Sequence, residues 1–70
     1  MNKAQLDYIR RTYPPGTRIR VDWMPQDPDP VPPGTLGTVT YVDDAGQIGV
    51  AWDNGRSLAL IPGVDSFGRA

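Results

Sequence analysis

The sequence predicts a small, mainly β fold: a strongly bent barrel of four or five short strands preceded by one short α-helix. Three observations predict it. Apolar and polar residues alternate with a period of two in the stretches that follow residue 16. Tight-turn dipeptides punctuate those stretches at Pro15-Gly16, Pro33-Gly34, Asn54-Gly55 and Pro62-Gly63. Helical spacing is confined to the N-terminal segment, where Leu6, Ile9 and Tyr13 recur three and four residues apart.

The helix is expected over residues 2 to 12, as a unit (1–12) that packs on the barrel formed by 13–70. Asn2 is suited to the N-cap and Gln5, three positions on, to its capping-box partner. Pro14-Pro15 ends the helix, because the residue before a proline avoids the helical region. A helix this short is unstable alone, so Leu6 and Ile9 must lean on the barrel. Arg10 and Arg11 suit the negative end of the helix dipole.

The first strand is Thr17-Arg18-Ile19-Arg20-Val21-Asp22-Trp23, with 19, 21 and 23 facing inward and 18, 20 and 22 outward. Met24 to Pro33 is a stiff, proline-rich loop. Leu36 to Val42 is the second strand, with Val39 and Tyr41 on one face, and Asp43-Asp44-Ala45-Gly46 is a turn. Gln47 to Asp53 is the third strand, and Asn54-Gly55 signals a type I′ hairpin into a fourth, Arg56 to Ile61, with Asp53 capping the hairpin. Val64 to Phe67 is expected to be a short turn that lays Phe67 on the barrel end. Pro-Pro-Gly-Thr occurs at 14–17 and again at 32–35, each time leading into a strand. It reads as one type II turn used twice, proline presetting φ and glycine accepting a positive φ. The expected core is Ile19, Val21, Val39, Ile48, Val50, Trp52, Leu58 and Leu60.

Composition narrows the function classes. The 70 residues contain one Lys, six Arg and eight Asp, with no Glu, His or Cys, for a net charge of −1. The absence of His and Cys removes the usual general base, the usual metal ligands and any disulfide framework. No cofactor is therefore expected, and the chain does not read as an enzyme. The balance of charge is unlike the basic excess of a bulk nucleic-acid binder. No apolar run suits a membrane span or a signal peptide, so a cytoplasmic location is expected.

The stretch Gly34-Thr35-Leu36-Gly37-Thr38-Val39, followed by Val50-Ala51-Trp52-Asp53-Asn54-Gly55, resembles the SH3-like barrels of the Mind-bomb-type domain. More specifically, the chain resembles the small family numbered 4314 among domains of unknown function. Its motifs Tyr-Pro-Pro-Gly-Thr, Pro-Pro-Gly-Thr-x-Gly-Thr-Val, Val-x-Trp-Asp-Asn-Gly-x-Ser-Leu and Ile-Pro-Gly-x-Asp-x-Phe stand here at 13–17, 32–39, 50–58 and 61–67, with the proline-rich loop at 25–33. The resemblance covers about residues 13–67. It implies an SH3-like barrel and occurrence in phages, conjugative elements and gut bacteria, and it brings no catalytic residue.

Two surfaces are candidate sites. Arg18, Arg20 and Arg56 form a small anion site if they converge, with Trp23 or Tyr41 as a shelf on which a base stacks. The bland alternative is a solvated face on which these arginines pair with Asp22 or Asp53. Trp23 itself reads either as core or as part of an exposed shelf with Met24, Tyr41 or Tyr13. The second surface is the proline-rich loop, where Met24, Pro25, Asp27, Asp29 and Pro30 would meet a partner protein. The function expected is a non-enzymatic binding module of a phage or mobile element. It would counter host defence by sequestering a nucleotide signal, within a homo-oligomer, or by blocking a defence protein. A protein–protein adaptor and a nucleic-acid-binding SH3-like domain are the alternatives.

Overall fold

A computed structural model describes all residues, 1–70. The fold is mainly β, with one short helix and a single antiparallel sheet. Helix α1 spans Lys3–Thr12 and strands β1 to β4 span Arg18–Trp23, Leu36–Val42, Ile48–Trp52 and Ser66–Arg69. The sheet order is β3-β2-β1-β4, so the two edge strands are β3 and β4. The capping box forms as the residues dictate: Gln5 N–H donates to Asn2 Oδ1 at 2.8 Å and Asn2 N–H donates to Gln5 Oε1 at 2.9 Å.

The repeated Pro-Pro-Gly-Thr builds the same turn twice. Gly16 and Gly34 have φ of 94° and 88°. Thr17 N–H donates to Pro14 O at 3.1 Å, and Thr35 N–H to Pro32 O at 3.2 Å. Both threonine hydroxyls donate to the same carbonyls at 2.7 Å. The echo then extends beyond the turn. Gly16 N–H bonds Val39 O while Val39 N–H bonds Thr17 O; Gly34 N–H bonds Val21 O while Val21 N–H bonds Thr35 O. Each turn thus docks on the buried valine of the other copy's strand, a local two-fold arrangement about the β1–β2 pair. The symmetry continues into two bulges. Asp22 is the extra residue between the pairs Val21↔Phe67 and Trp23↔Ser66, and Thr40 between Val39↔Val50 and Tyr41↔Gly49.

The core contains Ile9, Ile19, Val21, Met24, Val31, Val39, Ile48, Val50, Trp52 and Leu60, with Tyr13, Val42, Leu58 and Phe67 packed against it. Three expectations about it change. Leu58 is only half-buried. Met24, placed on an exposed shelf or a partner-binding loop by the sequence, is 2% exposed. Trp23 does not continue the inward phase of Ile19 and Val21, because the bulge interrupts it, and the indole is 52% exposed.

The segment after β3 also differs. No glycine-free position has a positive φ, so Asn54 does not form the type I′ turn. Gly55 N–H donates to Trp52 O and Trp52 N–H to Arg56 O, with Gly55 at φ 90°. This is the three-residue hairpin that ends on a left-handed glycine. Asp53 does not cap it; Asn54 Oδ1 accepts the Arg56 N–H at 3.0 Å. Beyond it, Arg56 to Ile61 is not a regular strand and pairs with β3 through the bridges Ile48↔Leu60 and Ala51↔Ser57, with Trp52 Nε1–H donating to Leu58 O at 3.0 Å. The last sheet strand is instead β4, which begins where a turn was expected.

Candidate functional site

The structure separates the five residues of the expected anion site. Arg18 lies on the outer face of β1 and donates through both terminal nitrogens to Asp53, at 2.8 and 2.6 Å, and to Thr38 Oγ1 at 2.9 Å. The bidentate bond to Arg18 holds the Asp53 carboxyl below its ordinary range, with the Arg18 charge adding to it. The bond to Asp53 likewise raises Arg18. Both shifts favour the charged forms, so the pair is a fixed ion pair rather than an acid or a base. Arg20 pairs with Asp22 on its own strand at 3.3 Å. These are the solvated pairings that the alternation of charges on β1 suggested.

Arg56 does different work. Its Nη1 donates to Pro30 O at 3.1 Å and its Nη2 to Asp29 O at 2.7 Å, with the Asp29 carboxylate 3.5 Å away. Together with the buried side chains of Met24 and Val31, this clamp pins the proline-rich loop to the body. Pro25 and Asp29 remain exposed on it, and Asp27 and Pro30 are half-buried. Asp27 Oδ1 is engaged by the Asp29 N–H at 2.9 Å.

Trp23 and Tyr41 occupy equivalent positions in the two-fold repeat and so lie at opposite ends of the β1–β2 pair. Tyr41 lies beside Pro15, in the turn that precedes β1, whereas Trp23 is the last residue of β1. Tyr41 spreads its ring over Gly49, where any side chain would collide with it. A single site holding both aromatics and the three arginines does not form.

What the fold does assemble is a groove of about 550 Å³ between α1 and the segment 62–67. Its walls are Ala4, Tyr8 and Ile9 of α1, then Tyr13, Pro62 and Phe67, and its upper end is closed by Met1 with the capping pair Asn2 and Gln5. Tyr13 and Phe67 meet edge to face, with centroids 5.4 Å apart at 62°. None of the lining side chains is charged. Sequence reasoning laid Phe67 on the barrel end and missed Tyr8, which is 57% exposed. The signal was present: Met1, Ala4 and Tyr8 recur at helical spacing beside the core-facing Ile9. No helix is long and apolar enough to cross a membrane.

No curated protein and no solved structure matches the chain. The family model described as domain of unknown function, DUF4314, matches residues 2–70. That span takes in the capped helix as well as the sheet, and with them every residue of the groove but Met1, and the chain is a member of the DUF4314 family.

Proposed function

We propose that this domain is a non-enzymatic binding module that docks an uncharged, apolar segment of a partner protein in the groove between α1 and residues 62–67. The observation that carries the reading is the lining itself: Tyr8, Tyr13, Phe67 and Pro62 with no charged side chain among them, and Tyr8 more than half exposed. Aromatic rings that stand partly in water gain area burial and specific geometry when a partner covers them. A nucleotide is a poorer occupant. Four of the six arginines are engaged by carboxylates, and no set of free cations faces the groove. The SH3-like barrel, the phage or mobile-element setting and action against a host defence protein belong to the same reading. They are supported by the family resemblance and by the small, compact β fold. The proline-rich loop is a second candidate surface, favoured by the Arg56 clamp that orders it in advance.

Selection of a random peptide library on the immobilised domain, followed by calorimetric titration of the enriched peptides, tests the groove. Enriched peptides are expected to be apolar and uncharged, and Tyr8→Ala is expected to weaken them at least about tenfold. Peptides that bind Tyr8→Ala as tightly as the wild type overturn the groove reading. Loss of binding on deleting Asp27 to Pro30 instead moves the site to the loop.

A further inference from the structure

Strand β4 ends the sheet, and its ladder to β1 occupies one side only. Alternation within an antiparallel ladder decides which groups that leaves free. Ala70 N–H donates to Arg18 O at 3.0 Å, and Arg20 stands opposite Gly68. The backbone groups of Gly68 and Ala70 therefore turn toward β1, while those of Phe67 and Arg69 turn away, and no loop or turn bond of the chain takes them. Three features of this edge have no explanation within one copy. A Cβ placed on Gly68 meets nothing within 4 Å, and its φ is not positive, so nothing inside the molecule requires glycine there. Glycine in a strand weakens it and marks places where another group comes close. Trp23, paired with Ser66 one strand away, stays 52% exposed. Arg69 has no ion-pair partner, although the arginines of β1 have theirs, and the Asp65 carboxylate accepts the Ile61 N–H at 2.7 Å but meets no cation.

We infer that β4 pairs antiparallel with β4 of a second copy of this chain, on a two-fold axis through Phe67. Each Phe67 N–H then donates to the Phe67 carbonyl of the other copy. Asp65 of each copy stands opposite Arg69 of the other, so the register is complementary in charge twice over. Ser66 stands opposite Gly68 of the second copy. A row across the joined sheets runs Trp23, Ser66, then Gly68 of the second copy. With strands about 4.8 Å apart, the Trp23 indole lies over Ser66 and reaches the bare Gly68. Centring the axis on Gly68 instead sets Phe67 opposite Arg69 and loses the pairing of Asp65 with Arg69. The join is only four residues long per copy, so the dimer is weak and grows with concentration. It brings the two grooves side by side, because Phe67 lines each one.

Sedimentation equilibrium up to about 1 mM protein tests the dimer, with amide hydrogen exchange locating it. The expected result is a monomer–dimer equilibrium in which the Phe67 and Arg69 amides become protected as concentration rises. Gly68→Val is expected to raise the dimer dissociation constant at least about tenfold while leaving the monomer's thermal midpoint unchanged or higher. Arg69→Asp is expected to weaken the dimer similarly, and Arg11→Asp, the same charge change on α1, to leave it intact. A monomer at every concentration overturns the inference. So does a dimer whose Phe67 and Arg69 amides stay exposed, or one that Gly68→Val leaves intact. Peptide binding in the groove plays no part in these readouts, so the two proposals fail separately.

Discussion

Two side chains per strand decide how the outer face of this sheet behaves. Arg18 and Asp53 come from neighbouring ends of β1 and β3 and form a bidentate pair across β2, with Thr38 between them. The pairing lowers the proton affinity of Asp53 in the folded chain. Its contribution is therefore present above the ordinary carboxylate value of 3.8 and lost as pH falls through the lower folded value. Asp53→Asn is expected to flatten the acid limb of the thermal midpoint between about pH 6 and about pH 2.5, and high salt to flatten the wild type, since both side chains are solvated. Parallel acid limbs for mutant and wild type refute this. The pairing was legible in the alternation of charge along β1. The positions of Trp23 and Tyr41 were not. A period of two assumes an unbroken ladder, and each aromatic follows a one-residue bulge, at Asp22 and at Thr40, that turns it from core to surface.

Elements with strong local chemistry were readable and elements defined only by long-range pairing were not. The capped helix, the repeated Pro-Gly turn, β1, β2 and β3 each carry a cap, a turn residue or an alternation in their own sequence. β4 carries none: Ser66-Phe67-Gly68-Arg69 has one large apolar residue, and it is a strand because β1 offers it a ladder. Conversely Arg56 to Ile61 has the composition of a strand but makes only isolated bridges, its Arg56 being drawn to the proline-rich loop. That loop is ordered by tertiary anchors, two buried apolar side chains and one guanidinium, which no local rule reveals. Arg56→Ala removes the donor to the Asp29 and Pro30 carbonyls. The exposed clamp contributes about 1 kcal/mol or less to global stability, so its loss is expected to shift the thermal midpoint by only a few degrees. Backbone amides of 26–31 are expected to exchange at least about tenfold faster than in the wild type. Unchanged exchange there means that Met24 and Val31 alone hold the loop.

At the scale of the whole molecule the question is whether α1 is an appendage or a structural member. The helix makes no ladder and ends in a pair of prolines, yet Ile9 is 6% exposed and belongs to the same core as Ile19, Ile48 and Leu60. Helix and sheet also share the Tyr13–Phe67 contact, and Phe67 is one of the four residues of β4. Removing Ile9 therefore opens the core and loosens the strand that closes the sheet beside β1. Ile9→Ala is expected to cost about 2–4 kcal/mol, a large part of the roughly 4–10 kcal/mol available to a domain of this size. Leu6, half-exposed on the same helix, is expected to cost less than half as much when truncated to alanine. If α1 is a structural member, Ile9→Ala lowers the whole unfolding transition, and the far-ultraviolet signal of the helix and the fluorescence of buried Trp52 fall together. A helix signal that melts first, with the Trp52 transition unmoved, makes α1 a detachable arm. The groove it walls would then exist only in part of the population, and a ligand that needs that groove would bind more weakly by the fraction of molecules in which the helix is docked.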